Sequence, residues 1–370
     1  MISEDFFATL QQHFNKSLPF VVYTKPNDIE VKALLQKDNA IHFINDFSER
    51  GFVFAPFDDK EKAMVLPIKA SEAIKMDFVV SNDTDIVIKE SIYSESEKLQ
   101  HVQLVQKGID AIKNNAFQKV VLSRCEVVKH SEDNPIKIFK RLLNKYTTAF
   151  VYCWYHPKVG LWLGATPETL VQVTGNRFKT MALAGTKKYK GTDDVFWDDK
   201  EKKEQEYVTN FIVNSLKDSV ETLNVAKPIT VKAGNVLHLK TAISGILQSE
   251  LSTVITKLHP TPAVCGLPKE KAKQFILKEE NYNREFYTGF LGELNMQEKQ
   301  LRNTNRQNVE NNAYVSIKTS SHLFVNLRCM QLKESKALIY VGGGITNESD
   351  AVQEWQETIN KKLTIKAVLD

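Results

Sequence analysis

Short runs of apolar residues dominate the chain and predict β-strands. These runs are brief in the first hundred residues and become longer from about residue 118 onward. Val, Ile, Phe, Tyr and Trp are frequent in them, as is typical of strands. The predicted strands cover 19–25, 40–46, 51–57, 64–70, 118–128, 148–156, 160–173, 177–186, 235–247, 322–332 and 336–344. The last two are expected to pair as a hairpin.

Apolar residues at helical spacing predict helices between these strands. The predicted helices cover about 94–115, 199–221, 268–280 and 351–363. The strands follow one another without regular alternation of strand and helix, and the chain has no Gly/Ser/Pro-rich linker and no internal repeat. We therefore predict one compact α+β unit, in which helices pack outside a large antiparallel or mixed sheet system.

Composition and charge exclude several classes of protein. The 370 residues are 42% hydrophobic and 25% charged, which excludes intrinsic disorder. The formal charge of +4 is spread along the chain without a basic stripe, so nucleic-acid binding is not expected. No apolar run approaches the ~20 residues that span a bilayer, and no signal peptide is visible. We expect a cytoplasmic protein without a membrane partner.

The cysteines support the same compartment. Cys125, Cys153, Cys265 and Cys329 lie far apart and show neither C-x-x-C nor paired histidine spacing. This spacing argues against a zinc site or a disulfide framework and is typical of a reducing cytoplasm. Buried apolar thiols are the simplest interpretation of all four.

Two glutamates stand out on the predicted helix 199–221. At ~100° per residue, Glu201 and Glu204 extend the apolar stripe that faces the core. Two anions three residues apart repel each other unless a cation lies between them. Carboxylate oxygens on one rigid face suit Mg²⁺. The alternative is an exposed first turn, where acidic residues interact favourably with the helix dipole.

The last predicted helix carries a similar pattern. Glu354, Glu357 and Lys361 share one face, whereas the apolar residues occupy a different sector. A solvent-exposed charged face is the simpler interpretation of this spacing. The functional interpretation is a second pair of metal ligands opposite the first pair.

Two further ionisable residues lie in or beside predicted strands. In KVVLSR (119–124), strand alternation puts Lys119 and Arg124 on opposite faces, so one basic group faces inward. A lysine in an apolar, cation-rich pocket has a lowered pKa and can act as a base. The alternative is a strand-end lysine that reaches water. Glu168, which follows a proline in GATPETL (164–170), is a candidate general acid if burial keeps its carboxyl protonated.

Two weaker signals complete the candidates. VGGGI (341–345) matches neither glycine-rich nucleotide motif, so a nucleotide site is not expected. Its glycines either permit close backbone approach and offer N–H groups to a carboxylate or form a plain tight turn. His238, flanked by apolar residues in VLHLKT (236–241), is interpreted by itself as a core histidine.

Taken together and in this order, these segments resemble the chorismate-utilising enzymes, most closely their isochorismate synthase branch. The matching segments are FQKVVLSR (117–124), GATPETL (164–170), ALAGT (182–186), EKKEQEYV (201–208), VLHLKT (236–241), LHPTPAVCGLPKEKA (258–272), FVNLRCMQL (324–332) and YVGGGITNESDAVQEWQETINKK (340–362). The departures are Thr166 for the common Ser, Cys265 for Gly or Ser, and Gly343 for Ala. We expect residues 101–370 to form the catalytic region and 1–100 to be a less characteristic part of the same unit.

The resemblance implies a fold and a set of roles. The fold is two stacked, mostly antiparallel sheets inside a helical shell, with the site in a deep cleft. Lys119 would be the base that activates water, and Glu168 the acid that protonates the departing hydroxyl. The implied Mg²⁺ ligands are Glu204 and Glu357, bound directly, and Glu201 and Glu354, bound through water. The implied substrate-binding residues are Gly185, Thr186, His238, Arg328, Gly342, Gly343, Gly344 and Lys361.

The activity that the resemblance implies is Mg²⁺-dependent conversion of chorismate to isochorismate, which would feed menaquinone or catechol siderophore synthesis. A salicylate synthase, an aminating synthase and an inactive chorismate-binding protein are the alternatives. The aminating enzymes generally lack a lysine at the position of Lys119 and take ammonia from a glutaminase, and no glutaminase domain is visible here. We expect a monomer without a glutaminase subunit.

Overall fold

Two β-sheets form the framework of the protein. The computed structural model describes residues 2–80, 93–130, 132, 134–234, 236–301 and 315–369. The strands within these ranges are β1 (Phe20–Thr24), β2 (Glu30–Gln36), β3 (His42–Phe43), β4 (Gly51–Ala55), β5 (Met64–Pro67), β6 (Ser71–Asp77), β7 (Lys119–Lys129), β8 (Phe150–His156), β9 (Gly160–Thr166), β10 (Thr169–Thr174), β11 (Arg177–Lys188), β12 (Val220–Val225), β13 (Ile229–Ala233), β14 (Val236–Leu247), β15 (Gly266–Leu267), β16 (Phe290–Leu301), β17 (Val315–Val325), β18 (Cys329–Lys333) and β19 (Lys336–Ile345).

The strands divide between a nine-stranded first sheet and a ten-stranded second sheet. The first sheet has the order β15-β7-β19-β18-β9-β8-β1-β2-β6. The second has the order β12-β14-β11-β10-β17-β16-β4-β5-β3, with β13 also paired to β14. The strand pairs in both are antiparallel. N-terminal strands therefore extend both sheets.

Helices cover the outer faces of the sheets. They are α1 (Ser3–Asn15), α2 (Glu95–Lys113), α3 (Pro135–Lys145), α4 (Asp199–Leu216), α5 (Leu251–Leu258), α6 (Lys269–Glu279) and α7 (Ala351–Lys366). Helices α1 and α3 share an apolar cluster with the first sheet, and α4 and α5 share one with the second. Among the residues that the structure describes, no helix has both the length and the apolar character needed to cross a membrane.

Aromatic side chains fill the space between the two sheets. Phe150 of the first sheet stacks on Phe324 of the second, with ring centroids 4.2 Å apart. Phe54 of the second sheet stacks on Phe286 at the same centroid distance. Burying a ring of this size contributes roughly 1.5–3 kcal/mol, and the stacked geometry adds to this. The interface between the sheets is therefore one continuous core, and the predicted α+β class with two stacked antiparallel sheets is confirmed.

Two predicted strands are each divided between the sheets. The run 160–173 breaks at Pro167, so that β9 lies in the first sheet and β10 in the second. The run 322–332 breaks before Cys329, and only β18 pairs with β19. The predicted hairpin of 322–332 with 336–344 is therefore wrong for its first half. Proline removes a ladder donor at the first break, and Arg328 has a left-handed backbone (φ 49°) at the second.

Other differences are local. The predicted helix 199–221 ends at Leu216, and the chain continues into β12. The predicted strand 40–46 is reduced to β3, and residue 235, with which another predicted strand begins, lies outside the described residues. Helices α1, α3 and α5 and strands β2, β6, β12, β13, β15 and β16 were not predicted. For α3 the signal was present, because Asn134 caps the helix and Pro135 follows in its first turn.

Candidate active site

One cavity collects nearly all the residues that the sequence singled out. It is lined by both sheets and by α4 and α7. The predicted residues that line it are Lys119, Glu168, Gly185, Thr186, Glu204, His238, Arg328, Gly342, Gly343, Gly344, Glu357 and Lys361. Glu201 and Glu354 do not line it. Tyr287, Thr288 and Tyr340 also line the cavity and were not predicted, since nothing in the pattern distinguishes them from other aromatic or small polar residues of the core.

Lys119 begins β7 and is 2% exposed. Its ammonium has no hydrogen bond or ion pair within the described part of the chain. Burial lowers the pKa of Lys119, and the charge of Lys361 lowers it further, against the opposing effect of Glu204. Glycine at 344 makes room for this side chain, because a Cβ there would lie 3.1 Å from Lys119 Cε.

Glu168 lies where the chain passes from the first sheet to the second. The Thr166 hydroxyl secures this crossing: it donates to the Val325 carbonyl (2.6 Å) and accepts from the Glu168 N–H (3.3 Å). The carboxyl itself is buried and has no hydrogen-bonding partner among the residues described. Burial raises the pKa of Glu168 to about 8, although Lys119 and Lys361 act in the opposite direction. This shift favours the protonated form of the carboxyl at neutral pH.

Arg328 occupies the second crossing between the sheets. Its guanidinium is 8% exposed and donates to His238 Nε2 and to Thr364 Oγ1, both at 3.2 Å. No carboxylate in the described ranges lies within ion-pair distance of it. A buried charge without a counter-ion is unfavourable. Such a guanidinium is suited to bind an anion, and its forked N–H groups match a carboxylate.

Carboxylates of α4 and α7 approach one another beside the β19 glycines. A Cβ at Gly343 would lie 3.0 Å from Glu354 Oε2 and 3.7 Å from Glu357 Oε1, and a Cβ at Gly344 would lie 3.5 Å from Glu204 Oε2. Burial raises the pKa of Glu354 to about 7, and the charge of Glu357 contributes to this. Burial also raises the pKa of Glu204. When acidic groups share a site, repulsion between their negative charges raises the pKa.

These carboxylates suit a hard divalent cation. Glu201 Oε2 and Glu354 Oε2 are buried without a hydrogen-bonding partner in the described residues. As the side chains stand, no three His, Cys, Asp or Glu residues in the described ranges converge as metal ligands. Mg²⁺ does not need such a cluster, since it is usually bound by one or two carboxylates and keeps several waters. The donor set therefore fits Mg²⁺.

Two lysines compensate part of this negative charge. Lys361 Nζ pairs with Glu357 Oε1 (2.6 Å) and donates to the Gly342 carbonyl (2.9 Å). Lys200 Nζ pairs with Glu354 Oε1 (2.8 Å) and was not predicted as a site residue. Its position in the lysine-rich start of α4 resembles that of any solvent-facing lysine, so the pattern carries no signal for it.

The glycines of β19 are strand residues and not a loop. Gly342, Gly343 and Gly344 pair with Ser123, Leu122 and Val121 of β7. Their lack of side chains is what admits Lys119 and the carboxylates to this part of the cavity. Whether their N–H groups bind substrate stays a prediction.

Comparisons with known proteins agree with this geometry. Residues 58–300 match one chorismate binding enzyme family, and residues 313–367 match a second family of the same description. The first match alone spans more than half of the chain. The protein therefore belongs to the chorismate binding enzymes.

Individual relatives resemble the chain at similar levels. Isochorismate synthase MenF of Escherichia coli is 27% identical over 285 residues, which span 74% of this chain and 61% of that relative. Anthranilate synthase component 1 of Lactococcus lactis is 26% identical over 270 residues, which span 70% of this chain and 54% of that relative. The alignment therefore covers less than two thirds of either relative.

The fold is shared over a longer stretch. The solved structure of the menaquinone-specific isochorismate synthase MenF from Escherichia coli superposes with a TM-score of 0.75 at 21% identity. The superposition covers 95% of this chain and 89% of that structure.

Proposed function

We propose that this protein converts chorismate to isochorismate by adding water at C2 and expelling the 4-hydroxyl group. The observation that carries the proposal is the pair Lys119 and Glu168. Both side chains are buried in the same cavity, and neither has a hydrogen-bonding partner in the described part of the chain. Family membership supports chorismate as the substrate, and this pair of residues supports the type of reaction.

The reaction needs one base and one acid. Neutral Lys119 takes a proton from the water whose oxygen bonds to C2, the ring double bonds shift, and the C4–O bond breaks. Glu168 gives its proton to the departing hydroxyl, which leaves as water. One water enters and one leaves, so the reaction is an isomerisation. These steps require a neutral Lys119 and a protonated Glu168. The lowered pKa of Lys119 and the raised pKa of Glu168 favour these two protonation states.

Cationic groups would hold the dianionic substrate. Arg328 would bind one carboxylate, with Lys361 close to the other. Glu204 and Glu357 would hold Mg²⁺ directly, and Glu201 and Glu354 would hold it through water. The bound ion would supply positive charge to the substrate's ring carboxylate. These assignments agree with the Arg328 guanidinium, which has no carboxylate partner in the described ranges, and with the crowded carboxylates.

The lysine also favours this reaction over amination. Percentage identity separates the two classes only weakly, because the isochorismate synthase is 27% identical to the chain and the anthranilate synthase component 26%. Ammonia is already a nucleophile and needs no base, whereas water does. A buried lysine without a partner is therefore better explained by attack of water.

The test is product analysis by chromatography after incubation with chorismate and Mg²⁺ near neutral pH. We expect isochorismate to reach a plateau with chorismate, and the same plateau from isochorismate. EDTA should abolish turnover and added Mg²⁺ should restore it. Stoichiometric salicylate and pyruvate without a plateau would assign the chain to the lyase class. No turnover in either direction, or full activity in EDTA, would contradict the proposal.

A further inference from the structure

We infer that His238 is a positioning residue that acts through Arg328 and does not transfer a proton itself. In this arrangement its imidazole is neutral, carries hydrogen on Nδ1, and accepts a hydrogen bond at Nε2 from the Arg328 guanidinium. The orientation of Arg328 toward a substrate carboxylate then depends on His238. The inference rests on the proposed function for the identity of that carboxylate.

The hydrogen on Nδ1 follows from the partner of that atom. His238 Nδ1 lies 2.8 Å from the Gly185 carbonyl oxygen, which can only accept a hydrogen bond. Nδ1 must therefore be the donor. The Thr186 hydroxyl lies at a longer distance, 3.4 Å, from the same nitrogen.

The backbone around Gly185 holds this carbonyl in place. Gly185 has a left-handed conformation (φ 69°) at an irregularity in the pairing of β11 with β14, between Ala184 and Lys187. Glycine adopts this conformation at little cost, and such bulges redirect the groups beside them. The irregularity therefore brings a carbonyl to His238 where a regular ladder would use it for strand pairing.

The other ring nitrogen faces a permanent donor. Nε2 lies 3.2 Å from an Arg328 terminal nitrogen, and a guanidinium has no acceptor. Nε2 must therefore present its lone pair. Burial, together with the charges of Arg328 and Lys361, lowers the pKa of His238 to about 3. The ring stays neutral over the working range of pH, and it has no free N–H with which to protonate a hydroxyl group.

Arg328 is held on both sides by this arrangement. One terminal nitrogen donates to His238 and the other donates to Thr364 Oγ1, also at 3.2 Å. Each terminal nitrogen keeps a second N–H, and Nε keeps its own. Those remaining donors are available to a carboxylate in the fork geometry that guanidinium groups favour. His238 thus fixes which N–H groups face the cavity.

Two substitutions separate the contacts of His238. In His238→Gln, the side-chain oxygen can reach the position of Nε2 and accept from Arg328. In His238→Asn, the amide can reach only the position of Nδ1 and can keep the Gly185 contact. We expect His238→Asn to raise KM for chorismate about tenfold, the size of one lost hydrogen bond, with kcat within about threefold of wild type. His238→Gln should restore most of KM. A kcat loss of about 100-fold in both variants, or loss of one limb of the pH profile, would overturn the inference.

A spectroscopic measurement tests the tautomer without any turnover. Long-range ¹H–¹⁵N correlation on protein labelled at histidine should show a ring with Nδ1–H between pH 5 and 8, and His238→Asn should remove that signal. His259 is the matched control, since its Nε2 lies 3.2 Å from the Pro56 carbonyl and should carry the hydrogen. A protonated ring or an Nε2–H signal for His238 would overturn the inference. If chorismate is not the substrate, the kinetic test has no signal, but this test still decides the tautomer.

Discussion

Two buried glutamates of this protein have opposite surroundings. Glu293, in β16, is 1% exposed and forms ion pairs with Lys25 (2.6 Å) and Lys32 (3.2 Å), while the Tyr23 hydroxyl donates to it at 2.7 Å. Glu168 is 3% exposed and has no such partner among the described residues. Burial favours the neutral form of both. In Glu293 the lysine charges outweigh the effect of burial and lower the pKa to about 2. The pKa of Glu168 instead rises to about 8.

The difference separates a charge that links the two sheets from a carboxyl that we propose to be reactive. Glu293 connects the two sheets, because its partners lie in or beside strands of the first sheet and it belongs to the second. Its carboxylate oxygens lie beside two lysine ammonium groups and a tyrosine hydroxyl of the protein itself. Glu168 lines the cavity, and its carboxyl, whose raised pKa favours the protonated form, has no hydrogen-bonding partner in the described chain. Burial alone therefore does not identify a catalytic carboxyl, and the lack of a charged or hydrogen-bonding partner is the further feature on which we propose Glu168 as the acid.

Removing the reactive groups should have the largest effect. Glu168→Gln eliminates the transferable proton but closely matches the shape of the protonated acid. We expect kcat for chorismate to fall at least ~10²-fold, the usual contribution of a general acid, with no loss of thermal stability. Lys119→Ala should cost at least as much. Steady-state kinetics and thermal melts measure both, and near-normal kcat in either variant would mean that the acid or the base lies elsewhere.

The structural glutamate should respond in the opposite way. Glu293→Gln removes the carboxylate that pairs with Lys25 and Lys32, at a cost of about 1–3 kcal/mol in the free energy of unfolding, since both lysines can still reach water. At a temperature where the variant is folded, kcat should stay within about threefold of wild type. Urea unfolding measures the first value. A large kcat loss with unchanged stability would reverse the roles that we assign to the two glutamates.

The sequence pattern could not separate these two residues by itself. Glu293 lies within the apolar run FLGELNM, and Glu168 follows GATP. In both segments a single glutamate lies beside apolar residues, and this pattern does not reveal which group the side chain contacts. The lysines that pair with Glu293 lie more than 250 residues away, so only the tertiary fold brings them together. For Glu168 the family resemblance named a residue that lines the same cavity as most of the other candidates.

The parts of the fold that the sequence failed to predict also depend on tertiary packing. Long apolar runs predicted the α+β class and most of the strands, because local pattern determines these. Strands β2, β6, β12, β13, β15 and β16 were missed. The crossings at Pro167 and Arg328 were read as continuous strands, since both sides of each crossing are equally apolar. The short helices were missed because tertiary packing, more than their own pattern, stabilises them. Lys200 was missed because its partner Glu354 lies on another helix.

The pH dependence of turnover should report Glu168. A group with a raised pKa holds its proton below that pKa and loses it above. We therefore expect kcat/KM to fall tenfold per unit above about pH 8. The residual activity of Glu168→Gln should lack this fall, and Glu293→Gln should keep it. A wild-type profile that stays flat to pH 10 would contradict the assignment.

The free energy of unfolding at acidic pH should depend on the ionisation of Glu293. This is the smallest of the expected effects. Its pKa is lowered in the folded state, so its stabilisation is complete above the ordinary glutamate pKa and disappears as pH falls toward about 2. The stability difference between wild type and Glu293→Gln should therefore be constant from pH 7 to about 5 and shrink below that. Urea unfolding across this range measures it. A difference that grows on acidification would show that the ion pairs do not stabilise the fold.

The protonation of Glu168 at rest tests the contrast between the two glutamates most directly. Infrared difference spectra of wild type against Glu168→Gln isolate the carbonyl stretch of this one carboxyl group. We predict a protonated-acid band at pH 7 that gives way to carboxylate bands as pH rises past about 8. The matching spectra of wild type against Glu293→Gln should show only carboxylate at pH 7. An ionised Glu168 at pH 7 would contradict the claim that this residue holds the proton that the reaction uses.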